Sequence, residues 1–145
     1  MAERSEDRFA PLEAAARAWA ALSDQTVRQM YGLPPEPWRI TAALYRHGML
    51  PQSCLAALCH THKVAVSRAV ESLVVEKRWV MRVAYGSDGR LRHLVLTDKG
   101  RAEAEVVVEA LAELRHLSLA GISDIEMTQM ADLLRRVEDG VRRVA

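Results

Sequence analysis

The chain is 145 residues long, half of them apolar, and carries 20 Lys and Arg against 19 Asp and Glu for a net charge of +1. That length and apolar share describe one domain with its own core and exclude a disordered chain. No apolar run nears the roughly 20 residues of a bilayer-spanning helix, and the charged start "MAERSEDRFA" lacks the apolar stretch of a signal peptide, so a cytoplasmic protein without membrane association is expected.

Phe9, Leu12, Ala16, Trp19 and Leu22 recur at helical spacing and predict a first helix over about 9–30, with Pro11 in its first turn. "GLPPEP", 32–37, breaks the chain, because glycine ends a helix and three prolines cannot continue one. A short helix follows from about Trp38 to His47, with Ile40, Ala43 and Leu44 inward and Gly48 as its stop. Pro51 opens another helix over about 51–58, a turn occupies 59–62, and a longer helix runs over about 63–77. The pattern then changes. "WVMRVAY" is rich in β-formers, "GSDG" signals a turn and "RLRHLVL" returns, so 79–96 reads as a two-stranded hairpin. Thr97 caps the next helix, over about 98–118. "AGIS" breaks it, and Ser123 with Glu126 forms a capping box for a last helix striped by Met130, Leu133, Leu134, Val137, Val141 and Val144. The fold class is therefore mainly α with one β-hairpin.

Charge is unevenly placed. Residues 1–62 carry six Lys and Arg against six Asp and Glu, residues 63–99 eight against four, and residues 100–145 six against nine. The basic part holds the hairpin and the segment before it. There "SCLAALCHTHKVAVSRAV", 53–70, fits a helix–turn–helix: Leu55, Ala56 and Cys59 face inward from the first helix, and Val66 and Val70 from the second. Lys63, Ala65, Ser67 and Arg68 are left outward, side chains suited to base edges and phosphates in a major groove. The motif alone fits an ordinary helical hairpin equally well. The following β-hairpin turns the balance, since it stands where a wing would, with Arg90 able to enter a minor groove and Arg92 to reach phosphate. Asp88 would repel phosphate and is assigned to holding an arginine in place.

This order of elements, with "PWRITAAL", "SCLAALCHTHKVAVSRAV" and above all Asp88-x-Arg90 followed by Val95-Leu96-Thr97-x-x-Gly100, resembles the MarR family of winged helix–turn–helix transcriptional regulators along nearly the whole chain. The resemblance implies a homodimer built by the first and last helices, with 1–36 and 98–145 as the dimerisation region and 37–97 as the DNA-binding lobe. It implies a pseudo-palindromic double-stranded operator, with Arg90 in the minor groove and the helix from Lys63 in the major groove. It implies repression relieved by a small effector, often an aromatic acid or phenol. The sequence departs from the family pattern at His60, where the turn usually has glycine, and at His62, where serine usually caps the recognition helix. Arg78 replaces a helix-ending glycine, and one additional residue separates Arg68 from Trp79.

The terminal stripes favour a dimer independently, because a chain of this size cannot easily cover Phe9, Leu12, Trp19 and the Met130–Val144 stripe by itself. For the effector, Trp19, Trp38, Arg39 and Tyr45 could form an aromatic pocket with one cation, suited to an aromatic acid, a phenol or a related thioester. Cys54 and Cys59 fall on different faces of a helix and are expected to be reduced and packed. Cys59, His60 and His62 lack the spacing of a metal site, and His47, His93 and His116 are scattered, so neither metal nor cofactor is expected. No phosphate loop, nucleophile elbow or carboxylate pair points to an enzyme. The competing function is a winged-helix module that docks proteins without touching DNA.

Overall fold

Proline decides where the second helix begins. In the computed structural model, which describes residues 9–86 and 91–144 (Leu91 by its backbone only), helix α1 spans Ala10–Tyr31 and α2 spans Pro35–His47. The expectation that α2 starts at Trp38 is corrected by three residues. Pro35 and Pro37 lie in its first turn, where backbone N–H groups have no helical partner and a missing donor costs nothing. Gly32 ends α1 in the left-handed conformation (φ 64°), donating its N–H to the Arg28 carbonyl.

The chain divides into two units, one running to Glu109 and one from Ala110 on. In the first, α2 is followed by a two-residue strand β1, Leu50–Pro51, then α3, Gln52–Leu58, and α4, Lys63–Glu71. A π-helical turn, Ser72–Glu76, leads to strands β2, Val80–Tyr85, and β3, Leu91–Leu96. Helix α5, Asp98–Ser118, begins here. The sheet order is β1-β3-β2, all antiparallel, with Val80 opposite Leu96 and Tyr85 opposite Leu91. β1 has no sequence signature: it is two residues long and half proline, tolerable because it is an edge strand. Ile40 and Leu44 of α2, Leu55 of α3, Val66 and Val70 of α4, Leu73, Val80, Leu94 and Val107 are all fully buried. Each such aliphatic contributes roughly 1.5–3 kcal/mol by leaving water.

The hairpin is anchored at its root. Thr97 donates its N–H to the Trp79 carbonyl (2.9 Å) and its hydroxyl to the Arg78 carbonyl (2.7 Å), while its Oγ1 accepts the Gly100 N–H (3.0 Å). One side chain thus closes the sheet and caps α5. A Cβ on Gly100 would lie 2.0 Å from the Trp79 oxygen, so only glycine fits. The Trp79 ring meets Tyr31 edge-on at 5.1 Å, and the Tyr31 hydroxyl donates to Glu103 at 2.6 Å. Burial, with the Glu103 carboxylate added, pushes the Tyr31 phenol up to about 12.

The second unit holds the end of α5, a turn, and α6, Asp124–Val144. The capping box forms: Glu126 Oε2 accepts the Ser123 N–H and hydroxyl, and Ser123 Oγ accepts the Glu126 N–H. These bonds hold the Glu126 carboxyl below its usual range. No residue of α6 is buried; Leu133, Leu134, Val137, Val141 and Val144 form an exposed apolar stripe.

Two outcomes test this account. Gly100→Ala should lower unfolding free energy by about 3 kcal/mol through overpacking at the hairpin root, read from the urea midpoint; an unchanged midpoint refutes the close approach. Tyr31 has its folded pKa (about 12) above its ordinary value of 10.0, so its contribution is complete below pH 10 and is lost as pH rises towards 12. Thermal midpoints of wild type should fall across that window more steeply than those of Tyr31→Phe.

Candidate nucleic-acid interface

The interface is built from α3, α4 and the hairpin. Between α3 and α4 the backbone reverses over four residues. Cys59 N–H bonds to the Leu55 carbonyl, Thr61 N–H to the Ala56 carbonyl, and His60 takes the left-handed conformation at φ 50°. Glycine does this freely; histidine does it at a cost of roughly 1–2 kcal/mol. His62 then caps α4, its Nδ1 accepting the Ala65 N–H at 3.4 Å. Leu55 and Cys59 are buried beneath the turn, as is the inner face of α4, formed by Val66, Ala69 and Val70. Ala56 is half-buried. It lines a groove of about 280 Å³ between α3 and α4 with Gln52, Ser53, Lys63, Val66 and Ser67.

The outward face of α4 carries Lys63, Ser67 and Arg68, all exposed, with Ala65 half-buried beside them. It also carries Val64, 61% exposed, which sequence reasoning passed over as one more apolar helical residue. An exposed valine between Lys63 and Arg68 can meet a thymine methyl. Gln52 was missed as well; its amide donates to the Ser67 hydroxyl at 3.5 Å. On the other side of α4 a second groove, about 310 Å³, is lined by Pro34, Glu36 and Pro37 together with His62, Val64, Ala65, Arg68, Ala69 and Ser72.

The hairpin joins α4 through the π-helical turn. Lys77 N–H bonds to the Ser72 carbonyl five residues back, and Trp79 N–H reaches the Leu73 carbonyl, one residue further than an ordinary helix cap would. Arg78 then turns the chain at φ 58° in the place that glycine usually fills. Arg82 on β2 pairs with Glu71 at the end of α4 (3.1 Å), tying hairpin to helix. Arg82 stands opposite Leu94 in the β2–β3 register. Arg92 is exposed and shares a strand face with Leu94 and Leu96. Asp88 and Arg90 lie outside the described residues.

The four residues expected to hold an effector have separate settings. Trp38 is buried in the core, Arg39 is paired with Asp24 of α1 at 3.1 Å, the Arg101 guanidinium stands 6.0 Å over the Tyr45 ring, and Trp19 is half-buried on α1. None of them lines either groove beside α4. Of the cysteines, Cys59 is buried, which pushes its thiol up against a smaller lowering by Arg39. Cys54 is exposed, correcting the expectation that both are packed. No group of three or more His, Cys, Asp or Glu among the described residues could hold a metal. No helix among them is long and apolar enough to cross a membrane.

Solved structures share this architecture. A MarR/EmrR family transcriptional regulator from Acinetobacter sp. ADP1 superposes with a TM-score of 0.80 at 23% identity, covering 95% of this chain and 96% of its own. This is the MarR winged-helix fold. The transcriptional regulator PA3341 matches with a TM-score of 0.83 at 26% identity over 92% of this chain and 97% of its own. MepR from Staphylococcus aureus, solved as a complex with DNA, matches at 0.73 and 20% identity over 92% of this chain and 97% of its own. These MarR-fold proteins are named as transcription regulators, not as enzymes. No family model matches the chain, and no curated protein does.

Within the MarR fold of this chain the strained turn residue gives a direct test. His60→Gly should raise stability by about 0.5–1 kcal/mol, because relief of the left-handed cost outweighs the entropy glycine adds to the unfolded chain. A loss of stability in chemical denaturation would show that the His60 side chain, not the backbone, is what matters there.

Proposed function

We propose that this chain is a DNA-binding transcriptional regulator acting as a homodimer. The observation that carries the reading is the outward face of α4, where Lys63, Val64, Ser67 and Arg68 are exposed next to a hairpin bonded to the same helix through Arg82 and Glu71. A helix of that width enters a major groove, and a hairpin beside it reaches the flanking backbone and minor groove. Arg68 and Lys63 meet phosphate or guanine, Val64 and Ala65 supply apolar contact, and Ser67 is a short donor and acceptor. From the sequence, Arg90 takes the minor groove with Asp88 steadying it, and Arg92 takes phosphate.

The exposed apolar stripe of α6 and the exposed Phe9 and Leu12 at the start of α1 support pairing of two copies. Two-fold pairing sets two α4 helices about 34 Å apart and makes the operator pseudo-palindromic. The chain acts as a repressor, blocking its operator until a small aromatic acid, phenol or related thioester releases it in the cytoplasm. A carboxylate effector that engages Arg39 must take the place of Asp24, which sets both its charge and its entry point.

Selection from a random duplex pool by the wild-type protein should enrich an inverted repeat. Arg68→Ala and Arg90→Ala should each weaken binding to it at least tenfold, the size of one lost bidentate contact, while sedimentation still shows a dimer. Retention of no duplex at all would favour the protein-docking reading.

A further inference from the structure

His62 is positioned to do two things at once. Its Nδ1 accepts the Ala65 N–H and caps α4. A ring nitrogen that accepts a hydrogen bond carries no proton, so the neutral imidazole holds its hydrogen on Nε2. His62 is exposed, and no residue among those described bonds to Nε2. His62 lines the same groove as Val64, Ala65 and Arg68, beside the residues on the outward face of α4. A serine cap would keep its hydroxyl tight against the helix end. The imidazole instead projects its second nitrogen a ring's width further out.

We propose that His62 is a DNA-backbone ligand: Nδ1 fixes the start of α4 while Nε2–H donates to a phosphate oxygen of the duplex. The proposal rests on the reading of the chain as a DNA-binding regulator and adds a contact to it. Glu36, the acid among the groove's lining residues, stands on the α2 side, so a phosphate is held at the rim on the α4 side rather than inside the groove. There it lies next to Arg68, and Lys63 follows His62 directly in the chain. The contact is sequence-independent and positions α4, leaving discrimination to the side chains behind it.

Capping and phosphate contact can be separated by substitution. His62→Ser keeps a good cap and loses the reach; His62→Gln keeps a reaching N–H donor and is a poor cap. Thermal midpoints and affinity for a mixed-sequence duplex of about 30 base pairs, long enough for two half-sites, are measured over a salt series for each. His62→Ser should melt at or above the wild-type midpoint and bind about fivefold more weakly per bound protomer at every salt concentration, with the log K against log salt slope unchanged because a neutral donor releases no counterion. His62→Gln should melt lower and keep the wild-type affinity. Wild-type affinity in His62→Ser, or affinities that follow the melting order, overturns the proposal and leaves the DNA-binding reading standing. A wild-type protein with no salt-dependent duplex binding removes both.

Discussion

The contact of Gly100 with the Trp79 carbonyl, closed by Thr97, fixes the direction of the hairpin against α5. A two-stranded hairpin is marginal by itself, and here it must project from the lobe in one direction. Thr97 bonds to the two carbonyls where the first strand begins, so both ends of the hairpin meet at one side chain. The same hydroxyl oxygen starts α5 by accepting the Gly100 N–H. Hairpin direction and helix direction are therefore set together. Tyr31 extends this root to the end of α1 by its edge contact with Trp79 and its bond to Glu103. A glycine in a helix interior costs up to about 1 kcal/mol, which the bonds made possible by close approach outweigh.

The outward face of α4 and the hairpin is economical in charge. With a net charge of only +1, the chain's long-range attraction to a polyanion is weak. Placement compensates: the excess of basic residues falls in 63–99, where Lys63 and Arg68 on α4 and Arg82 and Arg92 on the hairpin are exposed. Arg82 is held by Glu71, which leaves Lys63 and Arg68 of α4 and Arg92 of β3 exposed without that tie, and Arg78 and Lys99 are exposed beyond these elements. A surface pair of this kind contributes about 0–1 kcal/mol, so its effect is on the angle between hairpin and helix more than on stability.

Much of this was legible in the residues. Helical periodicity located six helices, because burial of a stripe leaves a repeat that can be counted: Ile40 and Leu44, Val66 and Val70, and the stripe of α6. Thr97 and the Ser123–Glu126 box announced their helices through capping chemistry that is local in sequence. What escaped was non-local or too short to repeat. β1 is two residues whose only evidence is pairing with β3. Glu71 and Arg82 are eleven residues apart, with no spacing rule to join them. The start of α2 was misplaced because proline was read as a breaker where it served as a first-turn residue. The exposure of Val64 depends on α4 having nothing packed over that face, which no pattern in 63–71 records.

Two non-glycine residues in the left-handed conformation, His60 and Arg78, bracket the segment that holds α4, and a π-helical turn lies between them. Each left-handed residue costs roughly 1–2 kcal/mol. Between them Val66, Val70 and Leu73 are fully buried, each contributing roughly 1.5–3 kcal/mol, so burial exceeds strain and the segment stays in place. The consequence is general for this fold. Position is set by the buried face of α4 and by the root at Thr97, neither of which depends on the residues at the two bends. Those bends are therefore free to carry side chains where glycine would be cheaper. That is how a chain only 19–26% identical to these structural neighbours can keep their architecture.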